Sequence, residues 1–279
     1  MRSLLRSSAF CLALAFFFAP QSWSQELYAT NESGDELVTV DMSTGVVTVL
    51  YKIGSNPDSL IVDSLGRILY TTQKNGELQM YDPSTGVNTV IATGFSHPRD
   101  LIFDPGQTSV LVSNFGLGAI DRVNLVTGTV TPLLTRQITV DGLAYDAEGE
   151  LFAVVNKHTQ VIQINPTTGA ILKKLTVVTN HTISWYGLDG LTYDPYTGQL
   201  WAADVGVGAN CVVEIPTDLS TFTLFQVGNI TTPDGLVSDG EGNLYIGVNL
   251  SKVYEYNIPS NTITKIVPVK NVDDVALVP

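Results

Sequence analysis

VDGLAYDAEGELFAVV, residues 140–155, and LDGLTYDPYTGQLWAAD, residues 188–204, are the same phrase written twice. Each opens on an apolar residue followed by Asp-Gly-Leu, reaches a second Asp, turns through a glycine and ends in an apolar run. The opening returns as PDSLIVD from Pro57, PRDLIFD from Pro98, PDGLVSD from Pro233 and VDDVALV from Val272. The second positions of the six copies are Asp58, Arg99, Asp141, Asp189, Asp234 and Asp273, at intervals of 41, 42, 48, 45 and 39 residues. A period near 40 residues is that of a β-propeller blade.

Working outward from the motif, each of the first five copies is followed by a second apolar run, among them GRILYTT, TSVLVSN and GNLYIGV. A third run then ends in a tight turn, as in LQMYDPSTG, IDRVNLVTG and VIQINPTTG, before a fourth run such as VNTVIAT. Short runs of this kind are strands. Asp or Asn at the turn bonds the backbone, and glycine takes the positive φ that a tight hairpin needs. The chain begins with ELYATNES, ELVTVDMSTG and VVTVLYKI, which supply second, third and fourth strands without a first. Its last residues, from Val272, supply a first strand alone. Joined, the two ends make a sixth blade and leave no open sheet edge along the ring. The expected fold is all-β: a six-bladed β-propeller with four antiparallel strands per blade, the last closed by N- and C-terminal strands.

The first residues read differently. Arg2 and Arg6 precede an apolar run over residues 9–19, and Ser22 and Ser24 offer small residues before Gln25. That is the form of a secretory signal peptide, expected over residues 1–24, with the propeller over 25–279 and a secreted location, extracellular or periplasmic. The apolar run is too short for a spanning helix, which needs about 20 residues. No membrane association is expected after its removal, and the chain is read as a monomer. Without residues 1–24 the chain keeps 12 basic against 27 acidic residues, which argues against nucleic acid as a partner. Cys211 is then the one cysteine left and has no activating neighbour in sequence.

First strands line the axis of a propeller, so five carboxylates and Arg99 are expected to converge near one mouth of the channel. Like charges at close range need compensation, by a divalent metal or by hydrogen-bond donors. The repetition is equally what strand starts stabilised by Asp side chains would produce. The second acidic column, Asp63, Asp104, Asp146, Asp194 and Asp239, precedes glycine within four residues and reads as turn-forming. On the channel-mouth face fall His97, His158 and His181, the last in a long connection that also carries Trp185 and Tyr186. With Arg99 and Asp204, His158 and Trp185 are candidate binding residues around a small-molecule ligand; solvated loop histidines and a core-capping Trp185 are the plainer alternative. Asn31, Gln73, Asn114, Asn156 and Asn249 close second strands on the same face.

The units DGLAYDAEGELFAV, DGLTYDPYTGQLWAAD and PDGLVSDGEGNLYIGV resemble blade openings of the gluconolactonase and senescence-marker-protein family, and those of NHL-repeat propellers. The resemblance implies one divalent metal, calcium or zinc, on Asp141, Asp189 and Asp234, with Asp58 and Asp273 as less exact matches. The Glu-Gly-Pro-x-Trp-like opening strand of that family has no counterpart in this chain. A metal-dependent hydrolase of small esters or lactones, with Asp189 and His181 as catalytic groups, is one expectation. A non-catalytic propeller presenting its loops to an extracellular protein or glycan is the alternative, and a metal-dependent lyase a third reading.

Overall fold

The computed structural model describes residues 25–135, 138–155, 159–178, 187–206, 211–227, 230–249 and 251–279. The segment read as a signal peptide lies outside them. Five sheets are antiparallel meanders of consecutive strands. They are β4 to β7 (Pro57–Val62, Ile68–Thr72, Glu77–Asp82, Val87–Thr93) and β8 to β11 (Pro98–Phe103, Ser109–Asn114, Ala119–Asn124, Val130–Leu134). Then follow β12 to β15 (Val140–Tyr145, Leu151–Val155, Gln160–Ile164, Ile171–Thr176), β16 to β19 (Leu188–Asp194, Gln199–Asp204, Cys211–Pro216, Thr223–Gln226) and β20 to β23 (Pro233–Ser238, Asn243–Val248, Lys252–Asn257, Thr262–Pro268). The sixth sheet runs β24-β1-β2-β3, with β1 Glu26–Asn31, β2 Glu36–Asp41, β3 Val47–Lys52 and β24 Val272–Leu277. Tyr28 faces Ala276 and Ala29 faces Val275, so the two chain ends close the ring by strand pairing as the split repeat predicts.

Local chemistry makes these elements. At the third hairpin of a blade the turn Asp82-Pro-Ser-Thr-Gly86 places Ser84 N–H on the Asp82 carboxylate at 2.9 Å, and Gly86, at φ +71°, returns its N–H to the Asp82 carbonyl. Asn124 to Gly128 and Asn165 to Gly169 repeat it. Apolar side chains fill the spaces between blades: Trp201, fully buried, lies 5.2 Å from the Phe225 ring and 6.3 Å from that of Tyr256 in the next blade.

One irregularity recurs in every blade. Between first and second strand the register slips across the motif's second and third residues: Val140 faces Val155, whereas Leu143 faces Ala153. The same one-residue bulge separates Pro57 from Leu60, Pro98 from Leu101, Leu188 from Leu191, Pro233 from Leu236 and Val272 from Val275. A bulge re-aims side chains and ends regular pairing. Here it takes the two residues of interest out of the ladder at the channel axis, which is why the motif repeats.

The second acidic column forms turns as expected. Asp63 accepts from Leu65 and Arg67 N–H, Asp146 from Glu148 and Glu150, and Asp239 from Glu241 and Asn243. Asp104 does more. Arg122 Nε donates to it at 2.5 Å and Tyr145, from the next blade, at 2.7 Å, while Arg122 Nη2 reaches the Pro166 carbonyl at 2.8 Å. Burial works to raise its pKa, but the bonds from Arg122, Tyr145 and Ser109 outweigh burial and hold it below the usual carboxylate range. A depressed folded pKa contributes stability above the unfolded value that is lost as pH falls through the folded one. Asp104→Asn is therefore expected to lose about 2 kcal/mol at pH 7 and progressively less as pH falls below the ordinary carboxylate range, read by urea unfolding across that range.

Candidate functional site

The bulges deliver the second motif residues to the axis. Asp58, Asp141, Asp189, Asp234 and Asp273 are all buried, and Arg99 lies among them with Nη1 3.9 Å from Asp189 Oδ2. Its guanidinium is held over the Phe115 ring at 4.8 Å, in the Phe115–Leu117 turn that follows β9. Burial first, and neighbouring carboxylates second, raise Asp141 and Asp234 well above the usual range, with Arg99 pulling the other way. Burial raises Asp58 and Asp273 likewise. For Arg99 burial acts to lower the pKa, but Asp58, Asp141, Asp189 and Asp273 outweigh it and keep the guanidinium charged.

The polar residues closing the second strands divide into two sets. Gln73 donates to Asp58, and Asn249 Nδ2 to Asp234 at 3.1 Å, so both join the ring. Asn31 and Asp204 turn to their own loops instead, Asn31 accepting from Gly34 N–H and Asp204 from Gly206 N–H, while Asn114 accepts from Ser96 N–H in the connection that leads into β8. Asp204 also accepts from Cys211 Sγ, and burial, aided by that charge, pushes the Cys211 thiol up to about 12. That fits the unreactive cysteine expected from sequence. Asn156, His158, His181, Trp185 and Tyr186 lie outside the described residues. Among the described residues no three His, Cys, Asp or Glu side chains are grouped as a metal ion requires. The ring carboxylates face a cation supplied by the chain itself.

The motif's third column holds groups that the sequence reading passed over. In three blades it is glycine: Gly142, Gly190 and Gly235. In the others it is Ser59, Asp100 and Asp274, and these three meet. Ser59 Oγ lies 2.9 Å from Asp100 Oδ1 and 2.6 Å from Asp274 Oδ2. Asp100 also accepts from Leu101 and Leu143 N–H, and Asp274 from Val275 and Leu60 N–H, so each carboxyl staples its own strand to the next blade. A hydroxyl has one proton to give. Ser59 can bond both carboxyls at once only if one of them is protonated and donates to it. Burial, the largest cause, raises both carboxyl pKa values, and the Asp274 charge lifts Asp100 further. The visible signal was the loss of glycine from the repeat in three blades of six.

These columns line a cavity of about 390 Å³ that runs along the axis between the six first strands. Among the described residues seven aspartates line it, Asp58, Asp100, Asp141, Asp189, Asp234, Asp273 and Asp274, and no Lys, Arg or His. Asp100 and Asp274 are partly exposed to it. Toward the other ends of the strands the wall is apolar and aromatic, with Ile61, Phe103, Tyr145, Tyr193, Val237 and Leu277 partly exposed. A concave site with apolar walls and a few convergent polar groups is the usual form of a small-molecule pocket.

No family model matches the chain, and no curated protein matches it. Solved structures do. A nidogen/laminin complex contains a chain that superposes with a TM-score of 0.75 at 13% identity, over 92% of this chain and 99% of that one. A virginiamycin B lyase from Staphylococcus aureus with quinupristin gives 0.65 at 15%, over 86% and 80%. A protein of unknown function from Bacteroides caccae gives 0.67 at 14%, over 92% and 99%. At such identities the likeness concerns the propeller fold and not the site.

Proposed function

We propose that this is a secreted propeller that binds a small organic ligand in its central channel. The observation that carries the reading is the axial cavity, about 390 Å³ in volume, apolar at one end and lined by carboxyl groups along the rest. Secretion rests on the N-terminal pattern of two arginines, a short apolar run and small residues. The test is a ligand-observed NMR screen of small molecules against the purified protein and against Val237→Trp, which puts an indole on a residue lining the partly exposed end of the channel. Binders are expected, with affinity lost about tenfold or more in the blocked variant. A broad screen without a binder, or binders indifferent to the block, would refute it.

A second reading, turnover by acid–base chemistry, is favoured by the Asp100–Ser59–Asp274 arrangement. Two carboxyls holding one proton present an acid and a base side by side, the equipment for a lyase-type elimination or for ester hydrolysis. A divalent metal on Asp141, Asp189 and Asp234, as the gluconolactonase resemblance implies, lacks matching support, because the described carboxylates are not grouped for an ion. Turnover of a lactone and ester panel that survives chelator and disappears in Asp100→Asn is the expected result under this second reading; chelator-sensitive turnover would sink it.

A further inference from the structure

We infer that the ligand of the channel carries a carboxyl group, and that the main-chain N–H groups of Leu191 and Leu236 receive it. This rests on the channel-binding reading and adds the chemical class of the ligand. The residue that follows the bulge is equivalent in all six blades: Leu60, Leu101, Leu143, Leu191, Leu236 and Val275. The first strand is the inner edge of its sheet, so an N–H that does not bond the second strand points toward the axis. In four blades a carboxyl accepts it. Asp274 takes Val275 N–H at 2.8 Å through Oδ1 and Leu60 N–H at 3.2 Å through Oδ2. Asp100 takes Leu101 N–H at 2.7 Å through Oδ1 and Leu143 N–H at 2.5 Å through Oδ2. Each carboxyl thus spans two neighbouring blades, with one oxygen for each.

The same arrangement, one carboxyl for every second blade, calls for a third on residue 190 to serve Leu191 and Leu236. Residue 190 is glycine. Among the described residues no acceptor bonds the N–H of Leu191 or of Leu236, and both residues line the axial cavity. Buried main-chain donors without an acceptor cost free energy that a ligand oxygen restores. No side chain on residue 190 can do so, since a Cβ on Gly190 would lie 2.5 Å from the Asp234 carbonyl oxygen. The acceptor has to come from the cavity.

A carboxyl is the group that matches two such donors, because Asp100 and Asp274 span adjacent blades at the same depth with one oxygen on each N–H. Like charge on the wall is reduced. Burial raises the pKa of Asp58, Asp141, Asp234 and Asp273, and the charged Arg99 stands beside Asp189, two residues before Leu191. Ile61, Val237 and Leu277, partly exposed on the same wall, would cover an apolar body.

Three matched probes decide the matter, 3-phenylpropanoate, 3-phenylpropanol and 3-phenylpropylamine, each titrated into the purified protein by calorimetry and by amide-detected NMR. The propanoate is expected to bind about tenfold more tightly than the alcohol, with the amine weaker than both, and to move the Leu191 and Leu236 amide protons downfield. Leu236→Pro, which deletes one donor, is expected to cut propanoate affinity about tenfold while circular dichroism stays unchanged. Should that variant not fold, the two amide signals of the unmodified protein decide. Equal binding of propanoate and alcohol, or propanoate binding that leaves both amide signals in place, would overturn the inference; where Val237→Trp abolishes that binding, the channel-binding reading stands. Tighter binding of the amine would overturn it in favour of a cation. If none of the probes binds, channel binders from a wider screen that lack a carboxyl group overturn the inference alone, and the lack of any channel binder overturns both readings.

Discussion

Gly142→Ala is expected to destabilise the protein by about 3–4 kcal/mol, an unusually large loss for one methyl group. A Cβ on Gly142 would land on the Asp189 carbonyl oxygen and within 2.6 Å of Leu191 N, both backbone atoms of the next blade's first strand. Neither can retreat without moving β16 away from the axis, and every first strand is held by a blade on each side of it in the closed ring. Gly190 meets the next strand in the same manner, through the Asp234 carbonyl oxygen and the Cα of Gly235. The useful control is Gly149, a turn glycine at φ +78° with nothing near its absent Cβ. Gly149→Ala should lose about 1 kcal/mol, from backbone conformation alone. Urea denaturation of both variants separates the two causes. A Gly142→Ala loss no greater than that of Gly149→Ala would mean that the strands are not in contact at the axis.

That contrast also marks what the sequence could and could not disclose. The six copies of the motif and the complementary chain ends specified blade number, strand order and the closing pairing of β24 with β1, because periodicity and missing strands are written in one dimension. The reading of Asp-Gly was incomplete for a physical reason. A glycine selected by a neighbouring backbone looks the same in sequence as one selected by a turn, and Gly142 and Gly149 stand seven residues apart with different causes. Asp100 and Asp274 were legible only as departures from the repeat; that both contact Ser59 depends on β4, β8 and β24 meeting around the axis. The ring of Asp58, Arg99, Asp141, Asp189, Asp234 and Asp273 was expected near one mouth of the channel; its carboxylates are buried, while Asp100 and Asp274 beside it are partly exposed.

Arg99→Met is expected to lose about 3 kcal/mol at pH 7.5 and distinctly less at pH 5, because the methionine leaves buried carboxylates without their cation. The direction follows from linkage. Asp58, Asp141, Asp234 and Asp273 have folded pKa values raised above the ordinary value near 4, burial being the main cause in each. A carboxyl of this kind keeps its proton in the folded state after the unfolded chain has released it. Stability is therefore fully present below the unfolded pKa and declines as pH rises toward the folded one. The unmodified protein should already melt several degrees lower at pH 8 than at pH 5. Arg99 works against that decline, since its charge pulls each of the four carboxyls down. Without it their folded values rise further and the slope steepens. Asp104, with its depressed pKa, contributes a trend of opposite sign only in more acid solution and so does not mask the effect. Melting temperatures at pH 5, 6.5 and 8 for both proteins give the comparison. A loss independent of pH, or larger at pH 5, would show that Arg99 contributes by packing on Phe115 and not by facing the ring of carboxylates.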